Sequence, residues 1–295
     1  MKRFLLALLL VIAPVPTYAG DLIDKLQEVS VTVTTGRGSG SGVLSTRKIG
    51  DDNVTFVLTA AHVVEGLRKT RQIIDGKSGT PRTVVEFDDA QIVQSINEDG
   101  RLVARYSILA SVIRYNREED LAILKVRKKN FSTASFRIYN EKKLPSLGDD
   151  VINVGSALGL DGSNTVSKGI VSQHGRLLDG HVYDQVSCPG FPGCSGSGLF
   201  LNDGRMLGIL TNGAGETFIL CVPARRILDW AKSANVEWAI NSECPLPSEP
   251  DLKKIPIEDN GVNFAVPYEA AKTTPKHSFK NFFLKENISA YLRSL

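Results

Sequence analysis

Three residues could share one piece of chemistry. His62 stands at the end of Thr59-Ala60-Ala61-His62, just after a short apolar run. An imidazole can take and return a proton near neutral pH, which suits a general base. Asp120 directly precedes the alternating run at residues 121–126. A carboxylate placed there can orient an imidazole and stabilise its charged form. Ser195 lies in Pro192-Gly193-Cys194-Ser195-Gly196-Ser197-Gly198. A serine hydroxyl becomes a useful nucleophile only when a base removes its proton. The glycines beside it permit backbone angles that aim successive amides at one point. That arrangement is an oxyanion hole, formed here by Gly193 and Ser195 with help from Cys194. Each segment also has a plainer reading: a structural histidine, a turn aspartate, a Gly/Ser-rich hairpin. Base, acid and nucleophile in this order, each at a strand edge, point to acyl transfer.

Strands must deliver these residues. From residue 30 to about residue 126 the chain reads as short strands separated by Gly, Asp and Asn clusters. The clearest are residues 31–35, 55–59, 82–87, 102–115 and 121–126. Many short strands with turn signals between them indicate a sandwich or barrel. Residues 128–145 are more polar and read as a link. A second strand-rich block covers residues 151–222. Residues 223–232 then predict a helix with Pro223 at its first position and Val222, Ile227 and Trp230 inward. The glycine run at residues 36–42 superficially matches a phosphate-binding loop, but a strand follows it instead of a helix, so that reading fails its context.

The bulk properties are those of an ordinary globular chain: 295 residues, 42% hydrophobic and 23% charged. The formal charge is +3; without Lys2 and Arg3 the balance is 33 basic against 32 acidic residues. Nothing in that balance favours nucleic acid. Lys2 and Arg3, the apolar run at residues 4–13 and the small Ala19 predict a signal peptide over residues 1–19, cleaved after Ala19. No later stretch is long and apolar enough to span a membrane. The expected location is therefore outside the cytoplasm, periplasmic or extracellular. Four cysteines, Cys188, Cys194, Cys221 and Cys244, allow three full pairings, and spacing does not choose among them. No metal-ligating pattern is present, and no cofactor is expected.

The motifs together resemble the trypsin-like serine peptidases, especially the HtrA (DegP) type. Residues 59–64 are similar to that family's histidine motif and residues 120–126 to its aspartate strand. Residues 151–160 and 165–172 resemble the approach to its second barrel. Gly193, Ser195 and Gly196 match its nucleophile loop, and residues 204–211 the strand after it. Residues 40–44 resemble its first glycine strand. The likeness covers about residues 25–235. It implies an all-β fold of two six-stranded antiparallel barrels, with the triad in the cleft between them. The expected division is 20–130 for the first barrel, 131–244 for the second barrel and helix, and 245–295 for a linker and tail. The resemblance also implies that Thr211, Asn212 and Gly213 line the cleft and pair with an extended substrate backbone. The chain departs from the family at Cys194, where Asp or Asn is usual, at Ser197, where a second glycine is usual, and in lacking a recognisable PDZ domain.

These readings predict a serine endopeptidase acting on polypeptides through an acyl-enzyme, with no nucleic-acid partner and no sign of an obligatory oligomer. The walls expected for the primary pocket, residues 188–193 and 211–213, carry no acid. A small or medium apolar residue before the cut is therefore expected. Two rivals stand: a cysteine protease using Cys194, and a non-catalytic binding module on the same fold. The aromatic residues Phe279, Phe282, Phe283 and Tyr291 place a terminal helix face or a frayed tail beyond residue 245, and such a helix could restrain the cleft.

Overall fold

The computed structural model describes residues 19–76, 79–213 and 217–252. The expected signal peptide (save Ala19) and the aromatic part of the tail lie outside them. A helix, α1 (Ala19–Glu28), leads into β1 (Ser30–Thr34), β2 (Ser39–Ile49) and β3 (Asp52–Thr59). A one-turn helix, α2 (Ala61–Val64), follows directly. Next come the antiparallel pair β4 (Arg68–Ile74) and β5 (Pro81–Phe87), then β6 (Ala90–Glu98), β7 (Arg101–Asn116) and β8 (Leu121–Val126). Strands β1, β2, β3, β8, β7 and β6 pair in that order and close into an antiparallel barrel.

The second half holds β9 (Arg137–Ile138), β10 (Asp150–Ala157), β11 (Gly162–Leu178), β12 (His181–Val186), β13 (Gly198–Leu201), β14 (Arg205–Gly213) and β15 (Ile219–Pro223). The antiparallel pairings run β13, β10, β11, β12, β15, β14 and back to β13, forming a ring of six strands. Strand β9 adds to β14 in parallel, so the stretch read as a link carries a short strand of its own. Helix α3 (Ala224–Ser233) begins one residue later than expected, with Pro223 as its cap. Ile227 and Trp230 are buried as expected, and Val222 is buried in β15. Helices α4 (Glu237–Ile240) and α5 (Glu249–Leu252) complete the described chain. Among the described residues no helix is long and apolar enough to cross a membrane. All four cysteines are free thiols.

Strand pleating explains the packing. Side chains alternate between the two faces of a strand. On β3 and β8, Val57, Ala122 and Leu124 line the first barrel with Val33, Leu44 and Ile92. The opposite faces, with Phe56, Leu58, Leu121 and Ile123, join the core that continues through the second half. All six residues of β8 are therefore buried. A slip of one residue would exchange the two faces and turn Lys125, which shares a face with Leu121 and Ile123, into the barrel interior. Asp120, the residue before it, is held at the seam.

Candidate active site

His62 lies in α2, immediately beyond β3. Its Nδ1 is 2.9 Å from Asp120 Oδ2 and 3.0 Å from Oδ1. The His62 backbone amide also donates to Asp120 Oδ1 at 3.0 Å. An ionised carboxylate only accepts, so this geometry puts the imidazole proton on Nδ1 and leaves Nε2 free to act as a base. Asp120 adopts a left-handed backbone, φ 53°. Its side chain is 18% exposed and that of His62 48%.

A second donor meets the carboxylate. Thr211 Oγ1 donates to Asp120 Oδ2. The register of β14 against β15 explains why. Leu210 pairs with Cys221 and Asn212 with Leu220, so Thr211 is the extra residue of a β-bulge. A bulge re-aims a side chain. The expected pairing of Thr211 with substrate is through its backbone; its hydroxyl serves Asp120 as well. Asn212 and Gly213 remain exposed at the end of β14. Strand β13 stops at Gly198 opposite Ile209, so the β14 edge at residues 211–213 extends beyond this partner.

The loop carrying Ser195 packs between the two halves. Ser41 N–H on β2 donates to Ser195 O at 2.7 Å, and Gly196 N–H donates to Leu210 O at 2.7 Å. A Cβ at Gly196 would collide with Thr59 Oγ1 and lie 3.1 Å from Ala60 N. A Cβ at Gly40 would lie 2.5 Å from Val63 Cγ2 and 3.0 Å from Ser195 O. Ser195 thus sits beside the segments that flank His62. Among the described residues no hydrogen bond joins the Ser195 hydroxyl to His62.

The amides behind Ser195 are oriented by fixed bonds. Gly193 has φ 96°, open to glycine. Pro192 O accepts from Leu158 N–H at 2.7 Å, which turns the Gly193 N–H the opposite way. Gly193 O accepts from Ser41 Oγ at 2.7 Å. The amides of Gly193 and Ser195 have no protein acceptor among the described residues. Cys194, expected as a third donor, gives its amide to Phe191 O at 2.9 Å. Its side chain is 3% exposed and burial pushes its thiol up, which disfavours the nucleophilic thiolate. Ser197, the other departure from the family pattern, is buried and accepts from Asn153 Nδ2 at 2.7 Å. Gly155 makes room for it: a Cβ there would lie 2.8 Å from Ser197 Cβ.

One wall residue escaped sequence reasoning. A Cβ on Gly213 would lie 2.6 Å from Ile219 Cδ1, and one on Gly190 would collide with that same methyl. Ile219 therefore stands between the two expected walls of the primary pocket. Among the described residues no cluster of metal-ligating side chains occurs.

Comparison with known proteins places this arrangement. Residues 40–209 match the trypsin-like peptidase domain. A probable periplasmic serine endoprotease, DegP-like, from Pseudomonas savastanoi pv. phaseolicola is 37% identical over 112 residues, covering 37% of this chain and 22% of that one. A serine protease, HtrA-like, from Staphylococcus haemolyticus is 26% identical over 249 residues, covering 76% of this chain and 34% of that one. The chain thus spans between about a fifth and a third of the length of these relatives. The solved serine endoprotease from Yersinia pestis superposes with a TM-score of 0.54 at 20% identity, over 75% of this chain and 68% of that one.

Proposed function

Because the chain belongs to the trypsin-like peptidase family, we propose that it is a serine endopeptidase acting through an acyl-enzyme, with His62, Asp120 and Ser195 as its triad. The observation that carries this reading is the Asp120 carboxylate receiving both Nδ1 and the backbone amide of His62. That double contact fixes ring and tautomer together. Ser195 Oγ attacks the scissile carbonyl while His62 Nε2 takes its proton. Asp120 stays ionised and stabilises the imidazolium. The Gly193 and Ser195 amides receive the oxyanion, each well-placed donor being worth about 3–4 kcal/mol in such sites. The imidazolium protonates the leaving amine, and water repeats the sequence on the acyl-enzyme.

The substrate backbone adds along the β14 edge at residues 211–213, where Asn212 and Gly213 are exposed. The Ile219 methyl between Gly190 and Gly213 shortens the pocket and favours a small aliphatic residue before the cut. Substrates are polypeptides, and the chain is exported after removal of residues 1–19. The relative from Pseudomonas savastanoi is itself named as periplasmic.

A fluorophosphonate probe tests the reading. The wild-type chain is expected to be labelled and to cleave an unfolded protein; Ser195→Ala is expected to do neither. Turnover retained by Ser195→Ala would transfer the role to the Cys194 thiol. A folded wild-type chain that neither reacts nor cleaves would be a binding module.

A further inference from the structure

Two exposed apolar side chains flank the nucleophile loop; Leu158 has no role above, and Phe191 lies at the end of the stretch expected to wall the primary pocket. Leu158 is 69% exposed and Phe191 45%. They belong to segments joined by the bond from Leu158 N–H to Pro192 O. Leu158 is also strained. It is the third residue of a turn closed by Gly159 N–H to Ser156 O at 2.8 Å, and its φ is 62°. Glycine or asparagine takes that conformation cheaply, whereas a leucine costs about 1–2 kcal/mol there. A strained conformation that carries an exposed leucine beside a reactive loop points to a use for the side chain.

The position of the turn says which use. The loop has two flanks. Through Gly196 it is bonded to Leu210, next to the 211–213 edge. Through Gly193 it abuts Ser156 and Gly159, so closely that a Cβ on Gly193 would collide with Ser156 O. A substrate that pairs with residues 211–213 before the cut must leave across the 156–159 turn after it. We infer that Leu158 and Phe191 form a subsite selecting an apolar residue immediately after the scissile bond. This inference rests on the endopeptidase reading. The subsite is a surface rather than an enclosed pocket, so its discrimination falls at the low end for apolar contacts, roughly tenfold between leucine and serine.

The test uses the full chain and two fluorogenic peptides, identical up to the cut and carrying leucine or serine after it. The wild-type ratio of kcat/KM, leucine over serine, is expected near ~10. In the double variant Leu158→Gly, Phe191→Ser the ratio is expected to fall below about 2. Glycine keeps the turn and its amide, and the ratio cancels any change common to both peptides. Fluorophosphonate labelling of each variant reports an assembled site. A labelled wild-type chain with no leucine preference, or a labelled double variant that keeps it, overturns this inference alone. A wild-type chain that no fluorophosphonate labels overturns the endopeptidase reading and this inference with it.

Discussion

Replacing Ser41 by alanine removes one oxygen from the seam between the two halves. Ser41 is fully buried. Its hydroxyl donates to Gly193 O at 2.7 Å and accepts from Ser156 N–H at 2.8 Å. Alanine fills nearly the same space but leaves a buried carbonyl and a buried amide unpartnered. Each unsatisfied group costs about 1–3 kcal/mol, so Ser41→Ala should lose about 2–6 kcal/mol. For a domain of this size each kcal/mol moves Tm by about 2–4 °C, which predicts a fall of roughly 4–24 °C. The same change frees the Gly193 carbonyl, whose bond helps hold the loop proposed to receive the oxyanion. Complete loss of one oxyanion donor costs about 10²–10³ in kcat, and a loosened donor should cost about tenfold. Calorimetry gives the first number and the fluorophosphonate labelling rate the second. A variant that melts within 1 °C of wild type and labels at the wild-type rate would refute the reasoning, because neither bond could then matter to fold or loop.

Two further perturbations test other parts of the network. Thr211→Val keeps the shape and removes the hydroxyl that donates to Asp120. A hydrogen bond to a charged group contributes about 1.5–3 kcal/mol, so kcat should fall at least about tenfold with KM little changed, and Thr211→Ser should restore it. A change confined to KM would return Thr211 to substrate contact. Asp184 on β12 is fully buried. Burial raises its carboxyl, but bonds from Arg225, Gly175 N–H and His174, with the Arg225 charge, outweigh this and hold it below the usual carboxylate range. A depressed folded value means the stabilisation is complete above the unfolded value of about 3.9 and is lost as pH falls through the folded one. Acid melts of wild type should therefore show a loss below about pH 4 that Asp184→Asn lacks. At neutral pH that variant should be weaker by about 1.5–3 kcal/mol, discounted because Arg225 is partly exposed. Equal melts from pH 3 to 7 would remove Asp184 from the account.

What the sequence revealed depended on how many faces of an element are buried. Strands β3 and β8 are apolar on both sides, and their runs were legible. Strand β4 is nearly all exposed, with the pattern Arg-Lys-Thr-Arg-Gln-Ile-Ile, and no alternation marks it. Strand β6 was passed over as well, although Ile92 is fully buried, because Gln91 and Gln94 interrupt its short apolar run. Strand β11 extends from Gly162 to Leu178, well beyond the expected 165–172, because its outer part is half-exposed hairpin. Helix α1 escaped notice beside the expected signal peptide, although Leu26 is buried. In the site, residue types and chain order singled out His62, Asp120 and Ser195, and the structure pairs the first two directly. The turn of Thr211 towards Asp120 did not follow from sequence, because a bulge is a matter of register between two strands and leaves no mark on either one alone. Ile219 was missed for a related reason. It belongs to a wall only because β15 lies beside β14.

The glycines of the first barrel show how such a site is held. Gly40 and Gly42 look in the sequence like part of a flexible run, yet both lie within β2 and are closely packed. A Cβ on Gly42 would lie 2.5 Å from Val57 Cγ1, and one on Gly40 would meet Val63 and Ser195 O. Here glycine serves close approach rather than mobility. The missing side chain at Gly40 lets the segment after His62 and the loop bearing Ser195 come near the same backbone atoms. Ser41, between the two glycines, then supplies the bonds that lock the approach, with its carbonyl accepting from Thr59 Oγ1 at 2.6 Å. Thr32 and Ser156 add a second crossing, hydroxyl to hydroxyl at 2.6 Å. The two halves therefore meet through short polar contacts directly behind the loop bearing Ser195. Since bonded oxygens and nitrogens tolerate less displacement than apolar contacts do, small shifts of one half against the other should be felt first at Gly193 and only later in the apolar core.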